Sequence, residues 1–142
     1  MRALELGTAG EMRERLNALV LTGRKTATTG LLAEYVEETE GLEFEGERLA
    51  LLDSDGNCVA TIEITGVGLA SFGSVTWEHA SAEGEGDRSL AEWRTGHRRF
   101  WESIGTPVDE DTTLVCLRFR LVTPLVTPSQ GRDRRVVPSR AT

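Results

Sequence analysis

Two long runs of alternating side chains constrain this chain more than any other feature. The first, NCVATIEITGVGL (57–69), sets Cys58, Ala60, Ile62 and Ile64 on one side and Val59, Thr61, Glu63 and Thr65 on the other. The second, TTLVCLRFRLVTP (112–124), opposes Val115, Leu117, Phe119 and Leu121 to Leu114, Cys116, Arg118, Arg120 and Val122. A period of two is the signature of a β-strand with one face turned to a core. RLALLD (48–53) precedes the first run, and DSDG (53–56) between them signals a hairpin.

Helical segments surround these strands. Residues 8–23 read as a helix, with Thr8 and Glu11 as a capping box, Met12, Leu16, Leu19 and Val20 as an apolar stripe, and Gly23 at the C′ position. LLAEYVEETEG (31–41) reads as a short helix with Leu31, Leu32, Tyr35 and Val36 on its apolar face. Seven glutamates between Glu34 and Glu47 mark a solvated face or loop. SVTWEHA (74–80) reads as a helical turn capped by Ser74, and AEGEGD (82–87) as an acidic glycine-rich loop. In RSLAEWRTGHRRFWESIG (88–105), Ser89 and Glu92 form a second capping box. Leu90, Trp93, His97, Phe100, Trp101 and Ile104 share one helix face, and Gly105 ends it. The predicted class is α+β, with a small, mostly antiparallel sheet.

Charge separates the chain into two parts. Residues 1–126 hold twelve basic and twenty-two acidic side chains and read as one domain. Residues 127–142 carry a net charge of +3 and read as a basic, disordered tail. A body this acidic is a poor partner for long duplex nucleic acid, whose affinity comes from neutralised phosphates. No apolar run reaches the eighteen residues of a membrane span, and the N-terminal residues lack the apolar stretch of a signal peptide. The expectation is a cytoplasmic protein with no membrane partner. Cys58 and Cys116 lie inside the strand-like runs and read as core thiols.

Standard catalytic motifs are missing. GEGD has no third glycine to complete a phosphate loop, and no Walker, nucleophile-elbow or HExxH pattern occurs. With only His79 and His97 as imidazoles, the expectation is no metal and no cofactor; His97 reads as a core histidine, and Trp93 and Trp101 as core aromatics. His79 is a candidate for lining a pocket. What remains is TGRKTATTG (22–30). Fifteen of the sixteen basic residues are arginine, and the single lysine is Lys25. An ammonium is more compact than a guanidinium, and its pKa responds to burial. In an extended segment Thr26 and Thr28 oppose Lys25; in a turn Lys25 and Thr28 share a side. A neutral amine can take a proton from a hydroxyl that attacks a carbonyl.

The segments LTGRKTATTGLL, CVATIEITGV, ASAEGEGDRSLAEWRTGHRRFW and LVCLRFRLV together resemble the ASCH domain, in its longer bacterial subgroup, over residues 4–124. The resemblance implies a small β-barrel of the PUA-like superfamily flanked by helices, with GRKTAT and the acidic loop lining one cleft. It also implies an RNA-related role or, in some small bacterial members, amidohydrolysis of N4-acetylcytidine by a lysine, a threonine three residues later and a glutamate. Carried onto this chain, those are Lys25, Thr28 and Glu83, with Glu85 competing for the acidic place and Arg24 and Thr26 as cleft residues. Thr28 then attacks the acyl carbon, Lys25 takes its proton, Glu83 helps protonate the leaving amine, and backbone amides near 26–29 stabilise the oxyanion. A carboxylate beside Lys25 favours the ammonium, which leaves Lys25 as either base or electrostatic stabiliser. The alternative is a nucleotide- or RNA-binding module, with or without ribonuclease activity, in which Lys25 grips a phosphate or base carbonyl and Trp77 or His79 stacks on a base.

Overall fold

A computed structural model of the chain describes residues 1–123; the basic segment 127–142 lies outside them. The elements run β1 (Arg2–Leu4), α1 (Glu11–Leu21), β2 (Ala27–Leu31), α2 (Leu32–Glu37), β3 (Arg48–Leu52), β4 (Cys58–Ser71), α3 (Trp77–Ala82), α4 (Leu90–Ser103) and β5 (Thr113–Thr123). The strands form one sheet in the order β1-β3-β4-β5-β2, antiparallel except for the β1–β3 pair. It is a curled half-barrel with flanking helices, as expected from the resemblance.

The DSDG hairpin forms as read. Asp53 Oδ1 accepts from the amides of Asp55 and Asn57, and Gly56 takes φ 85°, a left-handed conformation that glycine adopts freely. The alternation in the first long run is broken, however. Ile64 pairs with Phe119 and Gly66 with Arg118, so Thr65 is an extra residue in β4. Before it, even-numbered Ile62 and Ile64 face the main core; after it, odd-numbered Val67 and Leu69 stand opposite Leu117 and Val115. Such a bulge bends a strand and sharpens its twist, which suits a curled sheet.

Two caps differ from the sequence reading. Helix α1 starts at Glu11 behind Gly10 (φ 108°), and no side chain caps it. Thr8 Oγ1 instead donates to Met12 Sδ, while the Gly10 amide donates to Ser54 Oγ at 2.8 Å. The hairpin thus satisfies a helix end that its own sequence leaves open. Helix α3 is capped by Thr76, whose side chain accepts from the His79 amide, because Ser74 belongs to a preceding 3₁₀ turn (Phe72–Ser74). The Ser89 cap on α4 forms as predicted.

The main core gathers Leu16 and Val20 of α1, Tyr35 of α2, and Leu4, Leu49, Leu51, Ile62, Ile64, Val115, Leu117 and Phe119 of the sheet. Val36 does not join it and is 70% exposed, so the apolar face of α2 is narrower than predicted. A second core packs α3 and α4 against the end of the sheet through Leu31, Phe72, Trp93, Trp101 and Leu114. The site lies beside this second core. Among the described residues, no helix is long and apolar enough to cross a membrane.

Candidate functional site

Helix α1 ends in a Gly23 turn (φ 83°), and the amides of Arg24 and Lys25 both donate to Leu19 O. The chain then enters β2. Thr26 is tied to the end of α3 by its amide and its hydroxyl, both donating to Ala82 O at 2.8 and 3.3 Å. This latch sets Lys25 beside the residue after Ala82, which is Glu83. The contact is close: a Cβ at Gly84 (φ 67°) would stand 2.1 Å from Arg24 O.

Lys25 is 1% exposed and Glu83 0%. Lys25 Nζ donates to Glu83 Oε1 at 3.2 Å and to Glu85 Oε2 at 2.7 Å. Thr29, four residues after Lys25 and therefore on the same side of an extended chain, donates to Glu83 Oε2 and contacts His79 Nε2 at 2.7 Å. Trp93 Nε1 donates to Glu83 Oε2 at 3.1 Å. His97 Nδ1 donates to Trp93 O at 3.0 Å, which turns Nε2 toward Glu83 Oε1 at 3.4 Å. Glu83 is thus the hub of a buried polar network drawn from β2, α3 and α4.

The electrostatics follow from this packing. Burial pushes the Glu83 carboxyl up, but Lys25, His97 and the hydrogen bonds from His79 and His97 hold it well below the usual range. Burial acts unopposed enough at Glu85 to raise its carboxyl, with Lys25 pulling down and the Glu83 charge pushing up. Burial lowers His97, yet the charges of Glu83 and Glu85 and the bond to Glu83 outweigh it, so its pKa is raised. Two neighbouring carboxyls are therefore driven in opposite directions.

A cavity of ≈ 230 Å³ opens beside this network, lined by Met12, Arg15, Glu85, Asp87, His97 and Phe100 among others. Glu83, Glu85 and His97 also bring one ligand atom each within 4.8 Å of one another, a set that counting histidines alone overlooks. Lys25 Nζ already bonds both carboxylates, so a metal ion there would compete with the ammonium.

The remaining predicted residues fall into two groups. Lys25, Glu83, Glu85 and His79 come together; Thr28 is fully buried on β2, opposite Leu117 and on the strand face away from Thr29. Arg24 and Thr26 are exposed, and Trp77 is 41% exposed at the start of α3. His79 is buried and lines neither that cavity's wall nor the surface, because Thr29 and Glu83 hold its ring. Sequence reasoning passed over Thr29, Trp93 and His97. The even spacing from Lys25 to Thr29 was the available signal for the first. For Trp93 and His97, helical periodicity reported the burial correctly but not the polar atoms at its edge.

The ASCH domain family matches residues 2–123. The chain belongs to the ASCH domain family. A crystal structure of an Enterococcus faecalis protein superposes with a TM-score of 0.76 at 32% identity, covering 86% of this chain and 76% of that one. An ASCH domain from Lactobacillus crispatus gives 0.73 at 31% identity, covering 85% and 79%. The ASCH protein of Zymomonas mobilis shares the fold at a TM-score of 0.53 and 10% identity, covering 92% and 84%. No curated protein sequence matches the chain. The ASCH fold is PUA-like, in agreement with the half-barrel described above.

Proposed function

We propose that this ASCH domain is an amidohydrolase for a small acylated nucleoside or similar amide, of N4-acylcytidine type, with Lys25 at its centre. One observation carries the reading. The only lysine in the chain is almost fully buried, and its ammonium bonds two glutamates whose carboxyls are shifted in opposite directions. The Thr28 hydroxyl, which the resemblance implies as nucleophile, is enclosed on the strand face away from the Lys25 cluster, so in this reading a water molecule attacks the acyl carbon and the Lys25 charge faces the oxyanion. The Thr26 amide does not serve there, because it donates to Ala82 O. Lys25 thus acts as electrostatic stabiliser rather than base, and proton transfer belongs to a carboxyl.

The test is hydrolysis of a panel of N4-acylated cytosines and cytidines in the presence of a chelator. Lys25→Ala is expected to lower turnover by about 10³ or more. It also leaves two carboxylates without their cation, at a cost of about 3–5 kcal/mol. Lys25→Arg keeps the charge but not the compact head group, and is expected to fold yet lose most activity. Turnover of wild-type quality in either variant overturns the proposal. A second reading, binding of a nucleotide or short RNA, is favoured by exposed Trp77, whose neighbour Glu78 pairs with Arg118 at 3.5 Å. It becomes the leading one if folded wild-type protein hydrolyses no member of the panel.

A further inference from the structure

The sheet has an edge that its own strands leave open. β3 runs beside only the first half of β4, from Leu52 opposite Cys58 to Arg48 opposite Glu63. The turn before β3 carries the pairing one residue further, with the Gly46 amide donating to Ile64 O and the Ile64 amide to Glu47 O, each at 2.8 Å. From Thr65 to Ser71, β4 lies against β5 on one side, and among the described residues no strand lies on the other. The two outermost strands are protected in different ways: β1 has only three residues, and β2 is buried throughout. The stretch TGVGLAS (65–71) is neither short nor buried, and it has no charge and no proline to deter an added strand.

Backbone and side chains meet this edge in a defined register. Gly66 stands opposite Arg118 and Ser71 opposite Thr113, and one step further the Phe72 amide donates to Thr112 O at 2.8 Å. Hydrogen-bonded and non-hydrogen-bonded pairs alternate along an antiparallel ladder. Counting back from Phe72, the N–H and C=O groups of Gly66, Gly68 and Ala70 face β5, and those of Val67 and Leu69 turn to the open edge. Val67 and Leu69 also carry exposed apolar side chains, 36% and 55% accessible, on the face they share with Leu117 and Val115.

We propose that this edge is a dimerisation surface, on which β4 of one copy pairs antiparallel with β4 of a second about a two-fold axis through Gly68. The register argues for a second copy as the occupant. A two-fold perpendicular to the sheet keeps every side chain on its own face, so odd residues meet odd and even meet even. The register centred on Gly68 overlaps the whole of 65–71. It sets Val67 opposite the partner's Leu69, Leu69 opposite the partner's Val67, and Gly66 opposite the partner's Ala70. The residues whose backbone groups are turned outward are thus the ones whose apolar side chains pair. Charge agrees with this seam. Residues 1–126 hold twenty-two acidic against twelve basic side chains, so two copies repel over most of their surface. The 65–71 stretch is uncharged, and Arg118 beside Gly66 is paired with Glu78 at 3.5 Å. A strand pair of this length buries a small area, so the dimer is weak and depends on concentration. The proposal goes beyond the amidohydrolase reading and does not rest on it.

Sedimentation velocity of the full chain over about 1–500 μM, the range of a small interface, is expected to show monomer giving way to dimer. Leu69→Glu and Val67→Lys are each expected to fold as wild type by circular dichroism, since both side chains are exposed, and to weaken dimerisation about tenfold or more. Mixed in equal amounts they restore it, because the register sets the two substituted positions opposite each other. Gly68→Cys supplies a second test. Its backbone is open to other residues and a Cβ there meets nothing within 4 Å. Cα atoms facing across a non-hydrogen-bonded position lie about 4.5 Å apart, within disulfide reach, so oxidised glutathione is expected to cross-link this variant. Gly66→Cys keeps the same native Cys58 and Cys116 but stands about 13 Å along the strands from its copy, and is expected not to cross-link. A monomer at every concentration, dimerisation unchanged by both charge substitutions, a mixture no more associated than its components, or equal cross-linking of the two cysteine variants overturns the proposal. Hydrolysis of the amide panel is a separate readout, and its failure leaves this surface unaffected.

Discussion

A lysine where arginine serves everywhere else makes physical sense in this cluster. Nζ reaches two carboxylates within 3.2 Å while only 1% of the residue is exposed. A guanidinium is broader and binds carboxylates in a planar fork, a geometry that two separate oxygens converging on one point do not offer. The same tightness makes Gly84 indispensable. Alanine there would take on a left-handed backbone and place its Cβ 2.1 Å from Arg24 O. Gly84→Ala is expected to cost about 2–5 kcal/mol, measured by denaturant titration, and to displace Glu85 from Lys25. Gly86→Ala is the comparison: its φ of 96° is equally unfavourable, but nothing lies within 4 Å, so strain alone acts and the loss should be smaller. Equal losses would show that the approach of Arg24 O is not what requires glycine at 84.

At the scale of elements, the site is where β2, α3 and α4 meet, and each is held there by a different device. Thr26 latches β2 to the end of α3. Thr76 caps α3 and Ser89 caps α4, the latter accepting from the Glu92 amide at 3.1 Å. Glu92 reaches back to the Arg88 amide at 2.8 Å, so the first turn of α4 is closed from both sides. Ser89→Ala is expected to lower stability by about 1 kcal/mol, read from the denaturation midpoint at unchanged slope. Because Trp93 and His97 follow one and two turns later, loosening of that first turn should also raise KM; a stability change with no kinetic effect would place the cap outside the control of the site. The alternating patterns identified β4 and β5, the DSDG hairpin signal identified β3, and capping chemistry identified α4. Neither found β1 or β2. β1 has three residues, and β2 (ATTGL) is buried throughout, so it shows no in–out alternation to read.

For the whole molecule, charge is the leading consideration. The acidic body and the +3 segment 127–142 suit different tasks, one a local pocket and the other phosphate contact. Removing residues 127–142 is therefore expected to leave hydrolysis of N4-acetylcytidine within about twofold of wild type, while any RNA affinity falls and loses salt dependence. A large fall in hydrolysis would tie the segment to the site instead. The sequence by itself determined the class of fold, the hairpin, the Ser89 cap and the singularity of Lys25, since these rest on spacing along the chain and on residue chemistry. Its resemblance to the ASCH domain supplied the curled sheet. Tertiary structure alone decided that Thr65 is an inserted residue, because a bulge exists only relative to the partner strand. It alone brought Thr29, Trp93 and His97 onto Glu83, residues ten to fifty-four positions away. Burial patterns report that a side chain leaves water; which polar atom it then meets is fixed only when separate elements pack, and that contact is what distinguishes the enclosed Glu83 from the accessible Glu85.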